Sequence, residues 1–137
     1  MDFDVEKRFA ATEDALPEIL GWVEEQTTAM LDFEKALNIQ LAIEEAVVNV
    51  VSYSYRDSEL EPYIIIRFAD LGSEIVTELE DGGKPFNQLA NVRYNAVPDV
   101  QQRQIGGLGR PFILNFTDEQ NYRYEHGCNI LNLKVNK

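Results

Sequence analysis

The chain has 137 residues, of which 45% are hydrophobic and 10% are aromatic. This much apolar material predicts one folded domain over residues 1–137 and argues against disorder. The 24 acidic and 12 basic residues give a formal net charge of −12, which repels the phosphate backbone of a nucleic acid. We therefore expect no direct nucleic-acid partner.

The sequence also lacks the marks of a membrane protein or of an oxidising compartment. No apolar run approaches the roughly 20 residues that a bilayer-spanning helix needs, and the first residues lack the basic and apolar regions of a signal peptide. The single cysteine, Cys128, cannot form an internal disulfide. These features predict a cytoplasmic protein without a membrane partner.

Hydrophobic periodicity predicts a strand and two helices at the start of the chain. Alternation of side chains over residues 3–9 predicts the strand. Helical spacing over residues 15–31 predicts the first helix, with Asp14 as its N-cap and Pro17 in its first turn. The strongest helical pattern in the chain runs from residue 34 to about residue 55 and predicts the second helix.

The remaining chain predicts two strand hairpins that are separated by a long loop and a short helix. The strands are predicted at residues 63–68, 74–79, 121–125 and 129–135. The loop covers residues 81–109, a length that usually indicates a functional or mobile segment, and the short helix covers residues 110–118. This order predicts an α+β fold, a two-layer α/β sandwich in which a mostly antiparallel mixed sheet carries three helices on one face.

The first candidate functional pair is Glu45 and Asn49, which lie one helical turn apart and therefore on one side of the second helix. An asparagine oxygen is a suitable ligand for Mg²⁺. A carboxylate one turn away suits a general base that takes a proton from a hydroxyl group. The alternative is that both are ordinary polar residues at the rim of an amphipathic helix.

The second candidate is Asp81, which is followed by Gly82 and Gly83 at the end of a predicted strand. A carboxylate in this place can accept a hydrogen bond from an exocyclic amine, and the glycines allow the backbone to approach a flat ring closely. The alternative is a polar turn, because Asp-Gly is a common turn dipeptide.

The third candidate is the glycine-rich segment Gly106-Gly107-Leu108-Gly109, which precedes the predicted short helix. Glycines before a helix leave backbone amides facing an anion, and the helix dipole favours phosphate there. The alternative is an ordinary loop that leads into a helix. The segment is not a P-loop, because no Gly-Lys-Ser/Thr follows it.

The three segments, taken in order, resemble the Bergerat-type ATP-binding fold. Within that fold, the sequence is most similar to the small anti-sigma-factor serine/threonine kinases. The stretch LAIEEAVVNVVSYSY resembles their N-box, EDGGKPF resembles their first glycine box and RQIGGLG resembles their second. The resemblance covers nearly the whole chain.

The resemblance implies ATP and Mg²⁺ as ligands and gives each matched residue a role. Glu45 is the expected general base, and Arg103 is expected to neutralise phosphate charge during transfer. Asn49 is expected to ligate Mg²⁺, and Asp81 to bind the adenine amine with Gly83 beside the base. The remaining nucleotide contacts are expected from Gly106, Gly107, Leu108 and Gly109. The expected partners are an anti-sigma-factor antagonist, a sigma factor and a second copy of the chain.

Departures from the family pattern support a second hypothesis. Tyr53 stands where the family commonly has histidine, and Arg110-Pro111 follows the glycines where the family usually has apolar residues. A nucleotide-gated protein-binding module with little or no kinase activity is therefore the alternative, and an interaction domain that binds no nucleotide is a third. We expect His126 to be structural or solvated and Cys128 not to bind zinc, since no metal-ligand spacing surrounds it.

Overall fold

A five-stranded sheet forms one layer of the molecule, with its strands in the order β1-β2-β3-β5-β4. The computed structural model describes residues 2–90 and 110–137. The strands are β1 (Val5–Ala10), β2 (Tyr63–Asp70), β3 (Glu74–Asp81), β4 (Glu119–Glu125) and β5 (Cys128–Asn136). Every pairing among these strands is antiparallel. Both predicted hairpins, β2–β3 and β4–β5, are confirmed.

The helices of the described residues form the second layer. They are α1 (Leu16–Met30), α2 (Phe33–Asn49) and the short α3 (Arg110–Asn115). Asp32 caps α2, because its side chain accepts a hydrogen bond from the backbone N–H of Lys35 at 2.9 Å. The predicted α+β sandwich is confirmed, and no helix in the described part of the chain is long and apolar enough to cross a bilayer.

Two details at helix ends differ from the prediction. Asp14 is not the N-cap of α1, because Glu13–Ala15 forms a 3-10 turn and α1 begins only at Leu16. Pro17 does lie in the first turn of α1. At its other end, α2 stops at Asn49 and continues as a π-helical turn, Val50–Ser54, rather than as α-helix to residue 55.

The core lies between the helices and the inner face of the sheet. Alternate residues of each strand point toward the helices, so apolar side chains from both layers interlock. Burying each of these side chains contributes about 1.5–3 kcal/mol to folding. The fully buried members include Ile19, Val23, Ile39, Ile43, Val47, Ile64, Ile66, Phe68 and Leu133.

The outer face of the sheet carries charged side chains instead. Arg67 lies between Glu78 and Glu80, and Arg123 approaches Glu78 from the neighbouring side. A concavity of about 750 Å³ on this face is lined by these residues. Because Asp81 and the core occupy the inner face, this concavity is separate from the site that the sequence predicts.

Candidate functional site

The end of α2 places the first candidate pair beside a change in helix type. Asn49 is the last residue of α2 and is only 4% exposed, and Glu45 lies one turn earlier and is half-buried. The π-helical turn Val50–Ser54 follows directly. Such turns occur frequently at functional sites, since they rotate the residues after them relative to the helix before them.

The buried amide of Asn49 is held at one end. Its Nδ2 donates a hydrogen bond to Oε1 of Gln88 at 3.1 Å, and Gln88 is itself only 4% exposed. Within residues 2–90 and 110–137, no donor contacts the Oδ1 of Asn49. A buried oxygen with remaining acceptor capacity is what a hard cation such as Mg²⁺ requires from a protein that supplies few ligands.

Asp81 is the last residue of β3 and is 3% exposed. Its Oδ1 accepts hydrogen bonds from the N–H of Gly83 and from Nδ2 of Asn129, both at 2.9 Å. Among the described residues, the contact to its Oδ2 is a long one of 3.5 Å from the Ser54 hydroxyl. Burial raises the pKa of Asp81 above its ordinary value, and these hydrogen bonds offset part of that rise. Oδ2 is therefore the acceptor with capacity for a ligand amine.

Asn129 fixes the Asp81 carboxylate and was not among the predicted site residues. It lies opposite Asp81 in the β3–β5 register. Its Nδ2 also donates to the carbonyl of Lys84 at 2.8 Å, and its Oδ1 accepts from the N–H of Phe86 at 2.8 Å and from the Tyr122 hydroxyl at 2.5 Å. All its hydrogen-bonding groups serve the protein, so Asn129 ties Asp81 to the turn that follows it. The available signal was a polar residue at an inward position of β5.

The two glycines after Asp81 are needed because protein atoms lie against them. A Cβ on Gly83 would lie 2.3 Å from the carbonyl oxygen of Ser54, and one on Gly82 would lie 2.7 Å from the Tyr63 ring. The N–H of Lys84 also donates to Ser54 at 2.9 Å. Gly83 thus packs the turn against the π-helical turn, and its expected place beside an adenine ring remains a prediction.

Ser54 joins the two halves of the candidate site. It ends the π-helical turn that begins after Asn49, and it contacts Asp81, Gly83 and Lys84. Asn49 and Asp81, which are far apart in sequence, are therefore carried by neighbouring elements. The other predicted site residues, Arg103, Gly106, Gly107, Leu108 and Gly109, lie outside the described residues, and their roles stay predictions.

Tyr53 and His126, which the sequence analysis considered beside the main candidates, both have defined surroundings. The Tyr53 ring packs against Phe86 with a centroid distance of 5.5 Å, and the Arg56 guanidinium lies 4.8 Å from the centre of the same ring. His126 is solvated, with a left-handed φ of 54° in the β4–β5 turn and a side chain that is 89% exposed. No group of three or more His, Cys, Asp or Glu side chains suited to a metal ion occurs within residues 2–90 and 110–137.

The fold and this arrangement define a class of protein. Residues 9–135 match the histidine kinase-like ATPase domain family, so the chain belongs to that family. Domains of this kind bind ATP. Asn49 Oδ1 and Asp81 Oδ2 are two buried acceptors that suit a Mg²⁺ ion and an adenine amine, respectively, and the residues present therefore fit Mg-ATP.

Solved structures agree with this fold assignment. The catalytic domain of histidine kinase ThkA is 15% identical, has a TM-score of 0.54, and is covered to 98% of its length by all of this chain. The histidine kinase domain of the blue-light activated kinase from Erythrobacter litoralis is also 15% identical, with a TM-score of 0.58 over 90% of this chain. The chain spans 59% of that second protein. A search of curated proteins found no match.

Proposed function

We propose that this chain is an ATP-dependent serine/threonine protein kinase of the anti-sigma-factor type. It transfers the γ-phosphoryl group of ATP to a serine or threonine hydroxyl of an anti-sigma-factor antagonist. It also sequesters a sigma factor, and it works in the cytoplasm as a homodimer. The observation that carries the proposal is the pair of buried acceptors, Asn49 Oδ1 and Asp81 Oδ2, on adjoining elements of a kinase-like ATPase fold.

Each residue has a distinct task in this proposal. Asp81 Oδ2 accepts a hydrogen bond from the adenine amine and fixes the base. Asn49 Oδ1 ligates Mg²⁺, which supplies charge neutralisation on the phosphates when it is bound. Glu45, one turn before Asn49, accepts the proton of the substrate hydroxyl as that oxygen bonds to the γ-phosphorus and the bond to the β-phosphate oxygen breaks. The products are the phosphoprotein and ADP.

The test is a transfer assay with purified chain, purified antagonist and Mg-ATP labelled at the γ-phosphate. We expect label on a serine or threonine of the antagonist. Glu45→Ala should lower the transfer rate by about 100-fold or more, the usual contribution of a general base, and should change ATP affinity by less than about threefold, because Glu45 acts on the hydroxyl and not on the nucleotide.

Glu44 provides a matched control, since it is an exposed glutamate next to Glu45 that points in another direction around α2. Glu44→Ala should transfer phosphate at the rate of the unchanged chain. Full transfer by Glu45→Ala, or loss of transfer in both variants, would overturn the assignment of Glu45.

A second candidate function is a nucleotide-gated protein-binding module. Tyr53 occupies the position where the family commonly has histidine, and its ring contacts Phe86 and the Arg56 guanidinium. A tyrosine at this position offers no imidazole for proton transfer. Partner binding that depends on ATP and survives Glu45→Ala, without any phosphoprotein, would favour this function over the kinase.

A further inference from the structure

The side-chain amide of Asn49 has two chemically opposite ends. Only its oxygen can ligate a cation, because the nitrogen carries two hydrogens and repels positive charge. The amide is 4% exposed and lies at the end of α2. Which end faces the bound metal is therefore decided by the group that holds the other end.

Gln88 holds the nitrogen end through a chain of hydrogen bonds. Nδ2 of Asn49 donates to Oε1 of Gln88 at 3.1 Å, and Nε2 of Gln88 donates to the backbone carbonyl of Ala46 at 3.4 Å. A backbone carbonyl can only accept a hydrogen bond. It therefore turns the Gln88 nitrogen toward itself, which leaves the Gln88 oxygen facing Asn49 and requires a donor there.

The position of Gln88 is fixed by its own turn. The side chain of Asn87 accepts hydrogen bonds from the N–H groups of Leu89 at 3.0 Å and Ala90 at 3.4 Å. One residue earlier, the N–H of Phe86 donates to Asn129. These contacts hold the backbone on both sides of Gln88, and its buried side chain points inward to α2.

We infer that Gln88 is a positioning residue, which orients the Asn49 amide so that Oδ1 faces the metal of a bound Mg-nucleotide. The inference rests on the proposed Mg-ATP site and extends it to a residue that lies in none of the three segments that the sequence singled out. Gln88 acts through Asn49 and does not touch the metal. Its loss should therefore weaken only the part of nucleotide affinity that depends on Mg²⁺.

The experiment compares ATP affinity in excess Mg²⁺ with ATP affinity in EDTA, by calorimetry, for six chains, four of which form a double-mutant cycle. The cycle consists of the unchanged chain, Gln88→Met, Asn49→Ala and the double variant. Methionine keeps the length of the side chain and removes its hydrogen bonds. In Gln88→Met, the ratio of the two affinities should fall about tenfold, a usual cost of losing a residue that supports a metal ligand. Affinity in EDTA should stay unchanged.

The double variant tests whether the two residues act through one interaction. Once Asn49→Ala has removed the ligand, Gln88→Met should lower the Mg²⁺ ratio no further. Gln88→Glu keeps an acceptor for the Asn49 nitrogen, so it should retain the ratio to within about threefold. Gln40→Met is the matched control. Gln40 lies on α2, as Asn49 does, but more than two turns away from it, and its side chain donates a hydrogen bond to Thr27 at 2.9 Å. Its ratio should equal that of the unchanged chain.

Two results would overturn the inference. One is an unchanged Mg²⁺ ratio in Gln88→Met, and the other is an equal loss of affinity with and without Mg²⁺, which would show that Gln88 only supports the fold of its turn. If Gln88→Met does not fold, nuclear magnetic resonance on the unchanged chain provides the test. Adding Mg-ATP should then shift the Asn49 Cγ signal while its Nδ2 protons stay protected from exchange, and loss of that protection would contradict the inference. An unchanged chain that binds no ATP at all would instead overturn the proposed function.

Discussion

Strand β3 carries acidic residues on both faces of the sheet, in opposite surroundings. On the outer face, Nη1 of Arg67 lies 2.8 Å from Glu78 and 3.1 Å from Glu80. Burial of the guanidinium opposes its charge, but the two carboxylates outweigh this and raise the pKa of Arg67. These acids and their cations satisfy one another, as in a structural ion network.

On the inner face, the described groups that hydrogen-bond to Asp81 are all neutral. Its hydrogen bonds come from Gly83, Asn129 and Ser54, and within the described residues no Lys or Arg side chain pairs with it. Burial therefore raises its pKa. This difference distinguishes a structural carboxylate from a candidate ligand-binding carboxylate on the same strand. A paired carboxylate is complete, whereas a buried carboxylate with one weakly bonded oxygen is ready for a ligand.

The largest effect should come from Asp81→Asn, which changes the inner acid by one atom. The new amide oxygen can accept from Gly83 and Asn129, and the new amide nitrogen can donate to the Ser54 hydroxyl. The fold should therefore be kept. At the ligand side, however, a donor replaces the acceptor Oδ2 and faces the adenine amine. We expect ATP affinity, measured by calorimetry, to fall about 100-fold or more.

The thermal midpoint of the nucleotide-free variant serves as the control for that prediction. A midpoint that is equal to or above that of the unchanged chain would assign the loss of affinity to recognition. Unchanged ATP affinity in Asp81→Asn would remove the distinction between the two faces, because Asp81 would then be as structural as the outer acids.

A smaller effect, on the stability of the fold and not on ATP affinity, should follow from Glu78→Gln on the outer face. Glu78 is 8% exposed and is bonded to Arg67, so its replacement by a neutral amide removes one of the two carboxylate charges beside the half-buried guanidinium. We expect the free energy of unfolding to fall by about 1–2 kcal/mol in a denaturant titration. ATP affinity should stay the same, since Glu78 points away from Asp81. A large loss of ATP affinity would show that the two faces are coupled.

Much of the fold could be predicted because it depends on patterns within short segments. Alternation and helical spacing give the strands β1 to β5 and the helices α1 and α2 to within a few residues. What the patterns miss are local hydrogen-bond shifts. The 3-10 turn at Glu13–Ala15 displaced the expected cap at Asp14, and the π-helical turn at Val50–Ser54 still has helical spacing in sequence. Periodicity cannot separate such turns from α-helix.

The candidate site also contains residues that sequence patterns predict and residues that they do not. Asn49 and Asp81 stand out in sequence because each belongs to a segment with a recognisable order and spacing. Asn129 and Gln88 do not, because their roles depend on strand register and on a turn that brings residue 88 back to α2. Ser54 is a third case, since its contact with Gly83 exists only after the hairpin has folded against α2. Ligand groups were thus easier to predict than the groups that hold them.

The smallest predicted effect is a pH dependence that distinguishes an acid in a ligand site from an acid in an ion pair. Burial raises the pKa of Asp81 above 3.8, so in the window just above 3.8 the folded chain binds more protons than the unfolded chain. The contribution of Asp81 to stability therefore rises as pH falls through that window. In Asp81→Asn this titration is absent. The measurement is the midpoint of thermal unfolding. The value for Asp81→Asn minus the value for the unchanged chain should be a few degrees larger at pH 7 than at pH 4.

Asp70 supplies a control of opposite sign. The N–H of Gly72 and the ammonium group of Lys137 lower the pKa of this exposed carboxylate, so its contribution to stability is present above 3.8 and is lost as pH falls. The midpoint of Asp70→Asn minus that of the unchanged chain should therefore be smaller at pH 7 than at pH 4. Differences of the same sign for both variants would contradict the conclusion that Asp81, unlike Asp70, has no cationic partner among the described residues.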